Sequence, residues 1–275
     1  MLTQEAMIER VRHLCQQDER LVAALMYGSF TRGEGDQFSD IEFALFLADE
    51  QLPQIDQQAW VAQIAPLALY FADDVGHQTA IFTNLIRGEF HFKPASSIPV
   101  VETWRGNAWF PSLAATVIVD RTGALAQHLQ SLLGPPPERD TTETIQSLTN
   151  NFINWMLFGS NVLARGEWAR ALEILGIAHR YLLWIVRVME GTTEHWPTPS
   201  KNVEQDISAA AYARYQACTT NLDPVLLANA YGATWTWGQE MLKTLAQRHQ
   251  LALPTALLNQ LTERLATRIP NLPNP

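Results

Sequence analysis

The stretch MYGSFTRGEGDQFSDIEFALFL, residues 26–47, holds two carboxylates that are spaced to act together. Asp40 and Glu42 lie two residues apart in a strand-like run, and such residues point to the same face of a strand. Two ionised carboxylates about 4 Å apart repel by roughly 4 kcal/mol at an effective dielectric of 20. Solvent, protonation or a bridging divalent cation can relieve this repulsion. Ligands that are all oxygen favour Mg²⁺, but the pattern alone leaves a solvated acidic edge strand open.

A glycine-rich segment precedes the two carboxylates. Gly28-Ser29 ends an apolar run, and Gly33 and Gly35 follow closely. Glycine lets a backbone approach an oxyanion, a helix beginning there would direct N–H groups at a phosphate, and the Ser29 hydroxyl could add a donor. Alone, a Gly-Ser pair is also typical of a simple tight turn. Combined with Asp-x-Glu, it predicts a site for a triphosphate and a divalent metal.

Composition restricts the class of protein. The 275 residues are 47% hydrophobic and 17% charged, which predicts a packed globular protein. The sequence has no apolar run of the length that spans a membrane, so we expect no membrane partner. Residues 1–134 hold 8 Lys and Arg against 16 Asp and Glu, so we also expect no nucleic-acid partner. With only two cysteines, Cys15 and Cys218, the chain is expected in the reducing cytoplasm.

The pattern of apolar residues changes at three consecutive prolines, Pro135 to Pro137. Before them, helical segments at 4–17, around 53–65 and at 123–133 alternate with six short runs rich in β-branched and aromatic residues: LVAALMYGSF, IEFALFLA, LALYFAD, QTAIFTN, EFHF and ATVIVD. After the prolines the pattern is helical. The predicted fold class is α+β, with a mixed-sheet domain over 1–134 and a helical bundle over 139–275.

Residues typical of helix N-termini indicate where the helices of the second half begin. Asp140 and Glu143 suit a capping box, and Asp223-Pro224 suits an N-cap followed by the first helical residue. A helix is predicted over 167–190, and another over 254–269. Four or five antiparallel helices are expected in the bundle.

The strand, Gly28-Ser29, ten residues, and Asp40-Ile41-Glu42-Phe43 together resemble the signature of the DNA polymerase β-like nucleotidyltransferase superfamily. MYGSFTRGEGDQFSDIEF with NLIRGEFHF is similar to the lincosamide nucleotidyltransferases, bacterial antibiotic-resistance enzymes, and the similarity extends through RGEWARALEIL and SKNVEQDI. The resemblance implies transfer of a nucleoside monophosphate, with AMP expected, from ATP or another NTP to a hydroxyl of a lincosamide, with release of pyrophosphate. It also implies Mg²⁺ held by Asp40 and Glu42, and a homodimer.

A third carboxylate is expected on a neighbouring strand. Asp73 and Asp74 precede Val-Gly, and Asp120 precedes Arg-Thr-Gly, so all three suit turns. Glu89 opens an alternating run in which it shares one strand face with His91. The family resemblance implies that Glu89 is the general base, and we expect the negative potential there to raise its pKa.

Cations are needed to offset the charge of pyrophosphate. Arg32 and Arg87 lie nearest the motifs, and Arg170 and Lys201 come from the second half; each could instead be a solvated surface cation. The predicted nucleotide-binding residues are Gly28, Ser29, Arg32, Arg170 and Lys201.

The same metal site could also serve the transfer of a nucleotide to other acceptors. The alternatives are transfer to a protein side chain or to another small molecule such as an aminoglycoside, and a non-catalytic nucleotide-binding module. The six Trp residues of the second half are expected mostly in the core, and the sequence does not indicate which of them contacts a drug. The expected partners are thus a small-molecule antibiotic, a nucleotide and a second copy of the chain.

Overall fold

The structure, a computed structural model, describes residues 1–266. It divides the chain into two compact units, Met1–Pro137 and Glu138–Pro275, so the change of unit falls at the end of the three prolines. The first unit contains a mixed sheet and the second is helical. The predicted α+β fold class is therefore confirmed.

The first unit is a six-stranded sheet with helices. Its helices are α1 (Thr3–Gln17), α2 (Gln57–Val61), α3 (Leu113–Thr116) and α4 (Ala124–Leu129), and its strands are β1 (Leu21–Tyr27), β2 (Ile41–Leu47), β3 (Leu67–Ala72), β4 (Gln78–Phe82), β5 (Arg87–Pro94) and β6 (Val117–Asp120). Five of the six predicted runs contain one of these strands, and the sixth, EFHF, lies within β5. The predicted helix around 53–65 shrinks to α2 and a 3₁₀ turn at Leu52–Gln54, and the unpredicted segment Ala95–Trp104 is a 3₁₀ helix.

The strand order is β3-β4-β5-β2-β1-β6. The pair β2 and β5 is parallel, and the other neighbouring pairs are antiparallel. Parallel neighbours need a crossover connection. Here the crossover runs through residues 48–86 and contains α2 and the β3–β4 hairpin, so the hairpin adds two strands outside β5.

The central strands are buried on both faces. On one face, Phe43 of β2 and Phe90 of β5 pack in a cluster with Val11 of α1 and Trp60 of α2. The opposite face carries a second cluster that includes Ala44 and Phe46 of β2, with side chains from the 3₁₀ helix and from α4. Because side chains alternate along a strand, Glu42 shares this second face with Ala44 and Phe46. The face is thus apolar along most of β2 and acidic at its start.

The second unit consists of helices throughout its described part. They are α5 (Thr142–Ala164), α6 (Trp168–Glu190), α7 (Val203–Asp206), α8 (Ala209–Cys218), α9 (Pro224–Arg248) and α10 (Thr255–Ala266). The predicted helix over 254–269 is confirmed as far as Ala266, and 267–269 lie outside the described residues. No helix within residues 1–266 is both long enough and apolar enough to cross a membrane.

One predicted helix cap is correct and the other is wrong. The Asp223 carboxylate accepts hydrogen bonds from the N–H groups of Val225 and Leu226, as expected of an N-cap. At α5, however, Thr141 is the N-cap and accepts from the Thr144 N–H. Asp140 instead pairs with Arg248 at 2.7 Å and with His249 at 2.6 Å, so ion pairing with the end of α9 takes this carboxylate away from the helix terminus.

Aromatic residues fill the core of the bundle. Trp235 and Trp237 of α9 are only 2% and 4% exposed, and the Trp235 ring stacks on Phe152 of α5 at 6.0 Å between centroids. Gly238 brings the helices close, because an added Cβ would lie 2.2 Å from the Phe152 ring. These two tryptophans belong to the core, as expected for most of the six.

Candidate active site

The register of three strands brings two carboxylates and a phenol together. Glu42 of β2 lies opposite Glu89 of β5 in the parallel pair, and opposite Tyr27 of β1 in the antiparallel pair. Residues paired across neighbouring strands have side chains on the same face. Glu42, Glu89 and Tyr27 therefore share one end of one sheet face.

Asp40 joins this group through an arginine. It lies just before β2, and its Oδ2 atom is 2.9 Å from Nη1 of Arg87, the first residue of β5. The other terminal nitrogen of Arg87 lies 2.5 Å from Glu89 Oε1. One guanidinium thus bridges the carboxylate before β2 and the carboxylate on β5.

Glu42 has the most perturbed carboxyl of the group. Burial, followed by the negative charges of Asp40 and Glu89, raises the pKa of Glu42 to about 7, although Arg32 and Arg87 oppose the rise. Burial is the largest cause of this rise, and the neighbouring carboxylates add to it. A divalent cation bound here would offset their negative charge.

The expectation that the pKa of Glu89 is raised is wrong. Partial burial acts to raise it, but the hydrogen bond and charge of Arg87, followed by those of His91, bring the pKa of Glu89 below its ordinary value. The Oε2 atom of Glu89 lies 3.4 Å from the Tyr27 hydroxyl and 3.5 Å from His91 Nε2. Burial, then the charges of Glu42 and Glu89, raises the pKa of Tyr27, so the phenol stays protonated. Glu89 is therefore ionised at neutral pH, and its Oε2 lies near the Tyr27 hydroxyl and the His91 ring.

Gly28 allows the Glu42 carboxylate to lie against the backbone. Its φ of 80° and ψ of −158° fall in a region that is essentially restricted to glycine. A Cβ added there would lie 1.6 Å from Glu42 Oε2. The buried Thr31 hydroxyl donates to the Gly28 carbonyl at 2.7 Å and holds the turn. After Gly28 the chain forms a single 3₁₀ turn, Ser29–Arg32, rather than a longer helix.

The predicted cations lie in both units. Arg32 pairs with Glu34 at 3.3 Å and is close enough to Glu42 to affect its pKa. In the second unit, Arg170 pairs with Glu167 on its own helix at 3.0 Å. The backbone carbonyl of Lys201 accepts a hydrogen bond from Arg187. The structure of the first unit thus brings together Asp40, Glu42, Glu89, Gly28 and Arg32, with Ser29 beginning the adjacent turn.

Two other candidates for the third carboxylate are held in turns. Asp73 accepts from the N–H groups of Val75 and His77, in the turn between β3 and β4. Asp120 accepts from the N–H groups of Gly123 and Ala126, at the start of α4. These hydrogen bonds explain why the sequence around Asp73 and Asp120 is typical of turns.

Sequence reasoning missed Tyr27 and His77. Tyr27 directly precedes Gly28 and could have been noted as the end of the strand. The ring of His77 lies 4.0 Å from that of His91, measured between centroids. Only the register of the β3–β4–β5 segment reveals this pair, because no sequence motif connects the two histidines.

An aromatic cavity of about 430 Å³ lies within the second unit. Trp184 and Trp196 stack at 5.7 Å between centroids and line it with Tyr181 and Glu143. The Trp184 indole N–H donates to the Trp196 carbonyl at 2.7 Å, and the Arg139 guanidinium lies 4.8 Å from the Trp196 ring centre. These two tryptophans thus line a cavity, in contrast to the core residues Trp235 and Trp237.

The carboxylate cluster has the donor set of a hard divalent cation. Asp40, Glu42 and Glu89 offer oxygen ligands alone, and the Arg87 guanidinium bridges only two of the three. The charges of Asp40 and Glu89 contribute, after burial, to the raised pKa of Glu42. These residues fit Mg²⁺, which prefers carboxylate, phosphate and water oxygens.

Comparisons with known proteins show what the second unit resembles. Residues 141–264 match the family model described as lincosamide nucleotidyltransferase-like, C-terminal domain. This match covers most of the helical unit and agrees with the resemblance found in the sequence. No curated protein matches the chain significantly.

Two solved structures resemble the chain. An aminoglycoside 6-adenyltransferase from Bacillus subtilis is 13% identical, with 97% of this chain and 100% of that chain covered and a TM-score of 0.45. A nucleotidyltransferase-like protein from Exiguobacterium sibiricum is 12% identical, with 95% of this chain and 88% of that chain covered and a TM-score of 0.33. Both TM-scores are below 0.5, so the description of the site rests on the geometry of this chain.

We expect Gly28→Ala to cost about 3 kcal/mol of stability or more, because it combines a strained backbone with a collision against Glu42. Gly33→Ala is the matched control: Gly33 also has a positive φ, of 73°, but an added Cβ meets nothing within 4 Å. The control should cost about 1–2 kcal/mol. Urea unfolding of both variants measures the difference, and equal losses would contradict the close approach of Glu42 to Gly28.

Glu42 should make the metal-free protein less stable as the pH rises. Its pKa is about 7 in the folded protein and about 4.3 in an unfolded chain. The folded state therefore binds more protons between these values, and stability falls as the pH rises through about 7. Glu42→Gln removes this loss and should become more stable than wild type by on the order of 1–3 kcal/mol at pH 8 without metal.

The measurement is urea unfolding at pH 5 and pH 8 in EDTA, with Glu50→Gln, a change at an exposed carboxylate, as the control. Added Mg²⁺ should stabilise the wild type at pH 8 and leave Glu42→Gln largely unaffected. A stability difference between wild type and Glu42→Gln that is the same at both pH values would contradict the raised pKa.

Proposed function

We propose that the chain is a nucleotidyltransferase that transfers AMP from ATP to a hydroxyl of a lincosamide in a Mg²⁺-dependent reaction. The observation that carries this proposal is the convergence of Glu42, Glu89 and Asp40 beside Gly28 on adjoining strands. The family of the helical unit supports the same reaction class. In this proposal the first unit is the nucleotidyltransferase domain.

Asp40 and Glu42 would hold the Mg²⁺. When bound, the ion neutralises charge on the phosphates and on the leaving pyrophosphate. Glu42 lies against the Gly28 backbone, so its carboxylate is fixed beside the turn that would receive a phosphate. Asp40 is oriented by Arg87 through a 2.9 Å contact. Both ligands are therefore positioned before an ion arrives.

Glu89 would act as the general base. The acceptor oxygen forms a bond to the α-phosphorus, the bond from that phosphorus to pyrophosphate breaks, and the hydroxyl proton moves to Glu89. Because Arg87 occupies Oε1, Oε2 is the atom that accepts the proton. The lowered pKa keeps Glu89 ionised. Its role as a base would therefore depend on its position and its ionised state, and not on a raised pKa.

The nucleotide would be held by backbone, hydroxyl and cationic groups. In the first unit, the Gly28 turn, the Ser29 hydroxyl and Arg32 are the proposed phosphate contacts. From the second unit we propose Arg170 and Lys201. Arg187, which is fully buried, donates to the Lys201 carbonyl and to Asp206 at 2.8 Å, so the segment that carries Lys201 is anchored.

The acceptor class rests on the family of the second unit. The aromatic cavity, which Glu143 and Arg139 also line, suits a molecule that has apolar and polar parts. An aminoglycoside or a protein hydroxyl is the alternative acceptor, and the metal site alone does not distinguish them. A homodimer in the cytoplasm remains part of this proposal.

The decisive experiment incubates the purified chain with ATP, Mg²⁺ and lincomycin, clindamycin, kanamycin or a cell lysate. Mass spectrometry should find one added AMP on a lincosamide, with release of pyrophosphate. Asp40→Asn should abolish the product, because a metal ligand is lost, and EDTA should do the same. AMP found only on an aminoglycoside or on protein would overturn the acceptor, and wild-type turnover by Asp40→Asn would overturn the metal site.

Glu89→Gln should lower kcat by about 10²–10⁴-fold, the usual contribution of a general base, because an amide cannot accept the proton. The affinity for ATP should change little, since the phosphates are held by other groups. Steady-state kinetics and nucleotide titration measure the two effects, with Glu50→Gln as the control. If Glu89→Gln kept its kcat, or lost ATP binding outright, Glu89 would not be the base.

A further inference from the structure

A pair of histidines faces each other across two antiparallel strands beside Glu89. Gln78 of β4 pairs with Phe90 of β5. One residue further along this antiparallel pair, His77 meets His91, and their rings lie 4.0 Å apart between centroids. Glu89 is two residues from His91 on the same strand, so it shares that face. The register thus places two imidazoles and one carboxylate side by side.

The ligand atoms of these three residues form a compact group. One ring nitrogen from each of His77 and His91 and one oxygen from Glu89 all lie within 4.8 Å of one another. Within residues 1–266 this is the one set of three such side chains that meets that limit. The His91 and Glu89 side chains are 13% and 20% exposed and that of His77 is 40% exposed. The group is therefore enclosed on one side and open to ions on the other.

The strongest contact of Glu89 involves one carboxylate oxygen only. Arg87 binds Oε1 of Glu89, whereas Oε2 lies 3.5 Å from His91 Nε2 and 3.4 Å from the Tyr27 hydroxyl. Asp73 Oδ2 lies 3.8 Å from Nδ1 of His77. This distance allows charge attraction but is too long for a hydrogen bond.

We propose that His77, His91 and Glu89 form a binding site for a transition-metal ion such as Zn²⁺, separate from the Mg²⁺ ligands Asp40 and Glu42. Two imidazoles and a carboxylate with an open position are a zinc donor set, whereas Mg²⁺ prefers oxygen alone. The inference goes beyond the proposed function. Because the ion takes Glu89 Oε2, the atom proposed to accept the proton, an occupied site would block the base.

Direct metal binding by the full chain tests this site without any assay of activity. Metal-free protein is titrated with Zn²⁺ in excess Mg²⁺ by calorimetry, and with Co²⁺ by visible absorption. We expect one Zn²⁺ per chain and a Co²⁺ spectrum of low coordination number. His77→Asn should weaken Zn²⁺ binding by at least the ~10–100-fold that even an outer contact contributes, and His91→Gln should do the same.

Two control variants make the assignment specific. His128→Asn removes a histidine that contacts the single carboxylate Glu102 at 2.6 Å, and Glu42→Gln removes a proposed Mg²⁺ ligand. Both should keep the Zn²⁺ site. Absence of Zn²⁺ binding by the wild type, or binding that persists in His77→Asn and His91→Gln but disappears in Glu42→Gln, would overturn the proposal. Because binding is measured without turnover, its failure would leave the proposed reaction untouched.

Discussion

Repulsion among three carboxylates at one end of a sheet is the constraint on which the site depends. Glu42 and Glu89 are paired across parallel strands, and Asp40 lies one residue before the start of β2. The Arg87 guanidinium bridges Asp40 and Glu89, while Glu42 lies against the Gly28 backbone and has a pKa of about 7. The opposite face of the same strands is apolar, with Phe43 and Phe90 stacked at 5.6 Å. Packing on that face fixes the register, so the carboxylates cannot separate by sliding the strands.

The order of the strands explains why several kinds of side chain meet at this place. A parallel pair requires a long crossover, and in this chain the crossover contains the β3–β4 hairpin, which returns to pair with β5. The hairpin brings His77 against His91, on the β5 strand that also carries Glu89. The same topology therefore builds the oxygen-rich cluster with Glu42 and the nitrogen-containing group with His77. Glu89 belongs to both, with Oε1 bound to Arg87 and Oε2 facing the histidine.

The local pattern of residue types in the sequence was sufficient to predict many of the strands and helices. Each predicted β-type run overlaps a strand, and Asp223-Pro224 starts α9 as its residue types indicate. The properties that depend on distant residues could not be predicted. The N-cap of α5 moved to Thr141 because Asp140 pairs with residues about a hundred positions later. The pKa of Glu89 is lowered because Arg87 and His91 both reach it, and the raised pKa belongs to Glu42, which is the more buried. The spacing of residues identifies the acidic side chains. Their pKa values depend on which side chains the strand register brings together.

The central claim is that Asp40 and Glu42 form a divalent-cation site poised beside Glu89. Crystals soaked with Mn²⁺ and a non-hydrolysable ATP analogue test this directly, because Mn²⁺ takes the place of Mg²⁺ and can be located by anomalous scattering. The account predicts an anomalous peak that touches both Asp40 and Glu42 and an α-phosphate next to Glu89. A peak on the phosphates that touches neither carboxylate, or Mn²⁺ bound only elsewhere in the chain, would contradict it.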